Sequence, residues 1–278
     1  MKPLRSIAIA VGLALVTLLL VFFWRERPSQ QPSISELGQP PVVAPEAKPE
    51  IRYPLPEAQP PIAGTEAPAI PPLPALGESD SFTSDLLTQL FGESALQLLV
   101  PQHFIRRLVL IIDALPRKDL PMQHLPVRSP LGSFETAGDA GAEIIATANF
   151  SRYAPYVALA EAVPPERLAE AYLRIYPLLE EAYREMDHPE GYFNDRMIEV
   201  LDHLLATPQV KEPIPVVKHI ARYRYADPQL ESLSAGQKIL LRMGSENARR
   251  VKNVLQQLRN QLVGTRTGEG KPAPQSSG

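Results

Sequence analysis

The sequence predicts a mainly α fold: a single helical domain with a minor β-hairpin, behind one N-terminal transmembrane helix and a Pro-rich disordered spacer. Three observations carry that expectation. An uncharged apolar run extends from Ser6 to Trp24, fourteen of the 31 prolines then fall between Pro28 and Pro74, and from about Ser79 to Leu262 apolar residues recur at helical spacing. The expected organisation is a short cytoplasmic end at 1–5, a transmembrane helix at 6–24, a linker at 25–78, a helical periplasmic domain at 79–262 and a disordered tail at 263–278.

The first run, SIAIAVGLALVTLLLVFFW, matches a hydrocarbon layer of about 30 Å at a helical rise of about 1.5 Å per residue. Lys2 and Arg5 precede it, Arg25 and Arg27 follow it, and Trp24 suits the headgroup region. A cleaved secretory signal has a shorter apolar stretch and small residues at its cut, whereas this run leaves through Val21-Phe22-Phe23-Trp24. An uncleaved anchor is therefore expected. Its short basic end belongs in the cytoplasm, which places the bulk of the chain in the periplasm of a bacterial inner-membrane protein.

Proline has no backbone N–H and a fixed φ, so the 25–78 stretch favours extended polyproline II over helix or sheet. Fully extended, about 50 such residues approach 150 Å, and as a flexible coil they span roughly 40 Å. The stretch reads as a spacer.

Within the domain, a helix is expected over Phe82–Phe91, stopped by Gly92, and a short helical piece over Ser94–Val100. A longer helix through HFIRRLVLIIDAL is expected to open at Pro101 and end at Pro116. Prolines at 121, 126 and 130 dictate a loop, and β-like pieces at Ser133–Thr136 and Glu143–Ala146 suggest the hairpin. Asn149 is placed as the cap of the next helix. After Pro165, Leu168, Ala171, Tyr172, Ile175, Tyr176, Leu179, Ala182, Tyr183 and Met186 form one apolar stripe, with Pro177 on the polar side. A helix from Asn194 to about Leu205 follows, then a single short strand over 216–225. Ser234 and Gln237 make a capping box, and a last helix runs from Gly244-Ser245 to about Leu262.

Several function classes are excluded by content. With no cysteine there are no disulfides, thiolate nucleophiles or Cys-based zinc sites. A net charge of -3 and a pI near 6.0 give no electrostatic steering toward nucleic acid. The sequence lacks GxSxG, HExxH, GxGxxG and SxxK motifs. Gly264 to Pro272 imitates a phosphate-binding loop only superficially, since its spacing is wrong and Pro272 replaces the hydroxyl that would hold magnesium. No metal and no cofactor are expected.

Four strings, FIRRLVLIIDALPR (104–117), RYAPYVALAEAV (152–163), GYFNDRMIEVLDHLLATP (191–208) and ADPQLESLSAGQKILLRMGSEN (226–247), resemble the bacterial domain-of-unknown-function 3014 family. The resemblance covers most of 79–262 and implies the same anchor-and-spacer architecture. It implies no activity and no catalytic residues.

The densest polar cluster is Asp187-His-Pro-Glu190-Gly-Tyr192-Phe-Asn194-Asp195-Arg196. Asp195, Glu199 and His203 form a row four residues apart, which reads as a solvated helix face rather than a metal site or an ion-pair network with Arg196. Eight of nine tyrosines fall between Tyr153 and Tyr225, among arginines, and such pairs anchor binding surfaces. The candidate binding surface is Tyr153, Tyr156, Tyr192, Arg196, Tyr223 and Tyr225. The basic run from Lys238 to Arg259 reads as a solvated face or an acidic-partner surface. The expectation is a non-catalytic binding or scaffold domain of the cell envelope, held in the lipid bilayer by 6–24 and facing a periplasmic protein or a cell-wall glycan or peptide. The alternative is a periplasmic hydrolase or lytic enzyme working through a lone carboxylate, Glu190 or Asp195. An energy-coupling anchor is disfavoured, because only Thr17 is polar in the central part of the span.

Overall fold

The computed structural model describes residues 50–55, 72–186, 188–220 and 222–263. The expected short end at 1–5, span at 6–24, greater part of the spacer and tail after Val263 lie outside them. Among the described residues no helix is long and apolar enough to cross a membrane.

The described residues form α1 (Asp80–Phe91), α2 (Phe104–Ala114), α3 (Ala148–Glu161), α4 (Pro165–Arg184), α5 (Phe193–Leu205), α6 (Pro228–Glu231), α7 (Ala235–Arg242) and α8 (Ser245–Leu262). Two antiparallel hairpins accompany them: β1 (Thr136–Ala137) with β2 (Ile144–Ile145), and β3 (Val216–His219) with β4 (Arg222–Tyr225). The domain is mainly helical, as its periodicity requires.

The α4 stripe is the centre of the main core. Tyr172, Ile175, Tyr176, Leu179, Ala182 and Tyr183 are buried while Pro177 faces out, and they meet Ile105 and Val109 of α2 and Phe193, Ile198 and Leu201 of α5. Helix α8 lies across α3, α4 and α5, and its last residue, Leu262, is fully buried. The positive φ of Gly244 turns the chain into α8, and a Cβ there would lie 2.7 Å from the Phe150 ring.

The charges of the C-terminal basic run meet partners within the fold. Lys238 pairs with Glu231, Arg249 with Glu246, Arg250 with Glu161 and Arg259 with Asp202. Lys252 donates to the Thr207 carbonyl, and Arg242 lies over the Tyr225 ring. Two of these acidic partners, Glu161 and Asp202, come from other helices distant in sequence, which wheel reasoning alone does not supply.

Three local expectations need correction. The stretch 216–225 is a hairpin turning at Ile220, whose φ is +54°, rather than one strand. Reversal pairs Val216 with Tyr225, so both reach the cluster of Ile145, Ile214 and Leu241. Asn149 does not cap α3; it is buried in the first turn, where it binds both backbone groups of Glu135. Helix α2 opens at Phe104 rather than at Pro101, because Asp80 accepts the His103 N–H at 2.8 Å and His103 takes a left-handed φ of 51°. The core also extends N-terminally of Ser79, with Leu76 buried and Tyr53, Leu55 and Leu73 packed against the main cluster.

Candidate functional site

The N-terminus of α5 leaves backbone N–H groups without helical partners. Tyr192, its N-cap, supplies no side-chain cap, and α4 provides one instead. Glu180 of α4 accepts the Phe193 N–H at 2.9 Å, and the Tyr176 hydroxyl accepts the Asn194 N–H at 3.2 Å while donating to Glu180 at 2.6 Å. Arg184 holds the other Glu180 oxygen at 2.7 Å. Carboxylates here also complement the positive end of the helix dipole. Burial, then the negative charge and hydrogen bond of Glu180, push the Tyr176 hydroxyl far above its ordinary pKa, so it stays a neutral bridge.

Residues 50–55 lie on this platform. Both oxygens of Asp195 accept backbone N–H groups, from Arg52 at 3.0 Å and Tyr53 at 2.7 Å. The Tyr192 hydroxyl accepts the Leu55 N–H at 3.0 Å, and Asn194 donates its side-chain amide to the Tyr53 carbonyl at 2.8 Å. Pro54 has no N–H to satisfy, so every backbone donor from Arg52 to Leu55 is accounted for. The chain bends at Arg52 and Tyr53, which brings both of their N–H groups to one carboxylate, and Tyr53 and Leu55 are half-buried while Pro54 is exposed. Asn194 is itself oriented by the Tyr172 hydroxyl, which donates to it at 3.0 Å.

An ion chain flanks the segment. The Arg52 guanidinium pairs with Glu199 and lies 3.9 Å from Asp195. Arg196 reaches Glu199 at 3.2 Å and grips both the carboxylate and the carbonyl of buried Asp113 at 2.8 Å, and Arg117 closes the chain on Asp113. Burial raises the Glu199 pKa, but hydrogen bonds from Arg52 and Arg196 outweigh it and hold the carboxyl below its ordinary value. A cavity of about 200 Å³ remains beside Arg52, lined in part by Glu190, Asp195 and Glu199. Gly191 forms its floor, where a Cβ would come within 2.7 Å of the Tyr183 ring.

The structure therefore brings together Tyr192, Asp195 and Arg196, with exposed Glu190 at the mouth. The other four tyrosines lie elsewhere. Tyr153 packs on the main core and Tyr156 donates to the Arg128 carbonyl at 2.9 Å. Tyr223 sits against Phe134 with ring centroids 5.7 Å apart, and buried Tyr225 donates to the Lys238 carbonyl at 3.1 Å. The row of Asp195, Glu199 and His203 is not a solvated face. Asp195 is buried under the segment, Glu199 is half-covered, and the His203 Nε2 pairs with Ser234 Oγ at 2.9 Å, its pKa lowered by burial and then by Arg196. Among the described residues no group of three His, Asp or Glu side chains gathers to hold a metal ion. Glu180, Asn194 and Tyr53 were not expected to contribute. The one available signal was Tyr53, the lone aromatic residue in the 25–78 stretch.

Fold and site together define a helical domain with a polar cleft that holds a short chain segment by its backbone. The family described as Protein of unknown function (DUF3014) matches residues 104–259, more than half of the chain, and the chain belongs to that family. Neither the curated proteins nor the solved structures contain a match.

Proposed function

We propose that this protein is a non-catalytic binding or scaffold domain of the bacterial cell envelope, anchored in the inner membrane through 6–24 and facing the periplasm. The observation that carries the binding part is the engagement of the Asp195, Asn194 and Tyr192 side chains with the backbone of residues 52–55. Side chains that bind a main chain hold a peptide whatever its side chains are, as in other modes of peptide recognition. The same bonds argue against Asp195 as a general acid or base, because both of its oxygens already accept backbone N–H groups. The apolar run at 6–24 and its basic flanks support the anchor.

The experiment is a pair of reporter fusions after Leu262 combined with crosslinking in intact membranes. A periplasm-active reporter that signals, a cytoplasm-active one that stays silent, and a reproducible envelope protein or wall fragment crosslinked near Tyr192 are expected. A silent periplasmic reporter overturns the topology. Turnover of wall material that disappears on Glu190→Gln overturns the non-catalytic reading.

A further inference from the structure

We infer that the cleft at the start of α5 is an exchangeable peptide site, whose ligand is a short segment carrying a cation, an aromatic residue next to it and an aliphatic residue two positions further on, bent at the cation and the aromatic residue. Residues 52–55, Arg-Tyr-Pro-Leu, are its occupant in cis. This inference deepens the binding role proposed above and rests on it.

Three observations separate the cleft from its present occupant. The residues that build it, Asp113, Glu180, Tyr192, Asn194, Asp195 and Glu199, all lie inside the family match at 104–259, whereas residues 50–55 lie well outside it. Four of the bonds across the interface reach backbone groups of the segment, so any chain that takes the same bend at its first two residues supplies them. The platform is held by bonds the ligand does not make: Tyr172 on Asn194, Tyr176 and Glu180 on the α5 N-terminus, and Asp113 on Arg196. A cleft supported in this way is preorganised for binding.

The chemistry of the ligand follows from what lines the site. Arg196 is shared between Asp113 and Glu199, so Asp195, Glu190 and the second oxygen of Glu199 still leave net negative charge at the guanidinium position. A cation is therefore favoured there, and a cavity of about 200 Å³ lies beside it. Half-buried Tyr53 and Leu55 set the next two requirements, and exposed Pro54 sets none. The cis segment competes with any incoming peptide at the effective concentration of a short tether, of order millimolar. An outside ligand binds only by displacing it.

The test uses the full chain in detergent micelles and a fluorescent peptide with the sequence of residues 48–57. In the Arg52→Glu, Tyr53→Ala double variant, which disables the cis segment, the peptide should bind at least about tenfold more tightly than to the wild type. Adding Asp195→Ala should weaken that binding about tenfold or more, as should Arg→Glu in the peptide, since each removes charge-assisted bonds. A peptide keeping only the Arg-Tyr-x-Leu pattern should bind within about threefold of the original, and a scrambled one should not bind. Absence of binding to a double variant that still melts cooperatively overturns the inference, as does binding indifferent to Asp195→Ala or to scrambling. Should the double variant lose its cooperative melt, the wild type decides: millimolar peptide must speed hydrogen exchange of the Arg52, Tyr53 and Leu55 amides, and unchanged exchange refutes the idea. Failure here leaves the topology and partner crosslinks above intact, so the two readings fail separately.

Discussion

At the residue scale, Asp195 connects the α5 N-terminus to a segment more than a hundred residues away in sequence. Its two oxygens carry two charge-assisted bonds, and such bonds are each worth about 1.5–3 kcal/mol when made to an ionised group. Asp195→Ala removes both, so it should cost about 3–6 kcal/mol in urea unfolding and should raise hydrogen exchange at the Arg52 and Tyr53 amides. Exchange in the α8 core should stay slow, which separates release of the segment from general unfolding. Glu199 adds a pH dependence. Its folded pKa lies below the ordinary carboxylate value of 4.5, because the bonds from Arg52 and Arg196 outweigh the effect of burial. A depressed carboxylate contributes stability that is fully present above its unfolded pKa and is lost as pH falls through the folded one. The Arg52 contact should thus be constant from neutral pH down to about 5 and weaken below 4.5, read as accelerating exchange at residues 52–55 after correction for intrinsic rates. Glu199→Gln should flatten that dependence.

At the element scale, signals confined to one turn or one helix face were legible, and signals shared between distant elements were not. The α4 stripe and the Ser234 capping box follow from spacing alone, because 3.6-residue periodicity and a three-residue cap are local rules. Ser234 Oγ accepts the Gln237 N–H at 3.2 Å, and the Gln237 side chain accepts the Ser234 N–H at 3.3 Å. Ser234→Ala should lower stability by about 1–2 kcal/mol in thermal unfolding, since His203 Nε2 loses its partner as well. Helix α5 is the contrasting case. Its polar row was visible, but the wheel assigns it to water because it lies opposite the apolar face. A segment far N-terminal of the helix, residues 52–55, covers its start, and that segment has the composition of a spacer. The cap of α5 was equally hidden, since it comes from Glu180 and Tyr176 on another helix rather than from a Ser, Thr, Asp or Asn at the N-cap. The β3–β4 hairpin was read as a strand because Ile220 at its turn is a β-branched residue, a type seldom found at positive φ.

At the scale of the whole molecule, the docked segment divides the spacer into two stretches with different mechanical meanings. Between Trp24 and Glu50 lie residues 25–49, which reach at most about 80 Å as polyproline II and about 28 Å as a flexible coil. Residues 56–71 close a loop whose two ends are both fixed to the domain, so their length adds nothing to the reach from the proposed anchor. If 6–24 is the anchor proposed above, less than half of the spacer that composition places at 25–78 would set the height of the domain above the bilayer. The chain has no cysteine, so a single Ile220→Cys at the exposed hairpin turn accepts one fluorophore, and energy transfer to headgroup acceptors in nanodiscs reports that height. Ten Gly-Ser residues inserted within 25–49 should reduce transfer. The same insertion within 56–71 should leave transfer unchanged in the wild type and reduce it once Asp195→Ala frees the segment. Equal responses to the two insertions in the wild type would mean that the segment does not carry the tether. A height indifferent to both would mean that 6–24 does not anchor the chain.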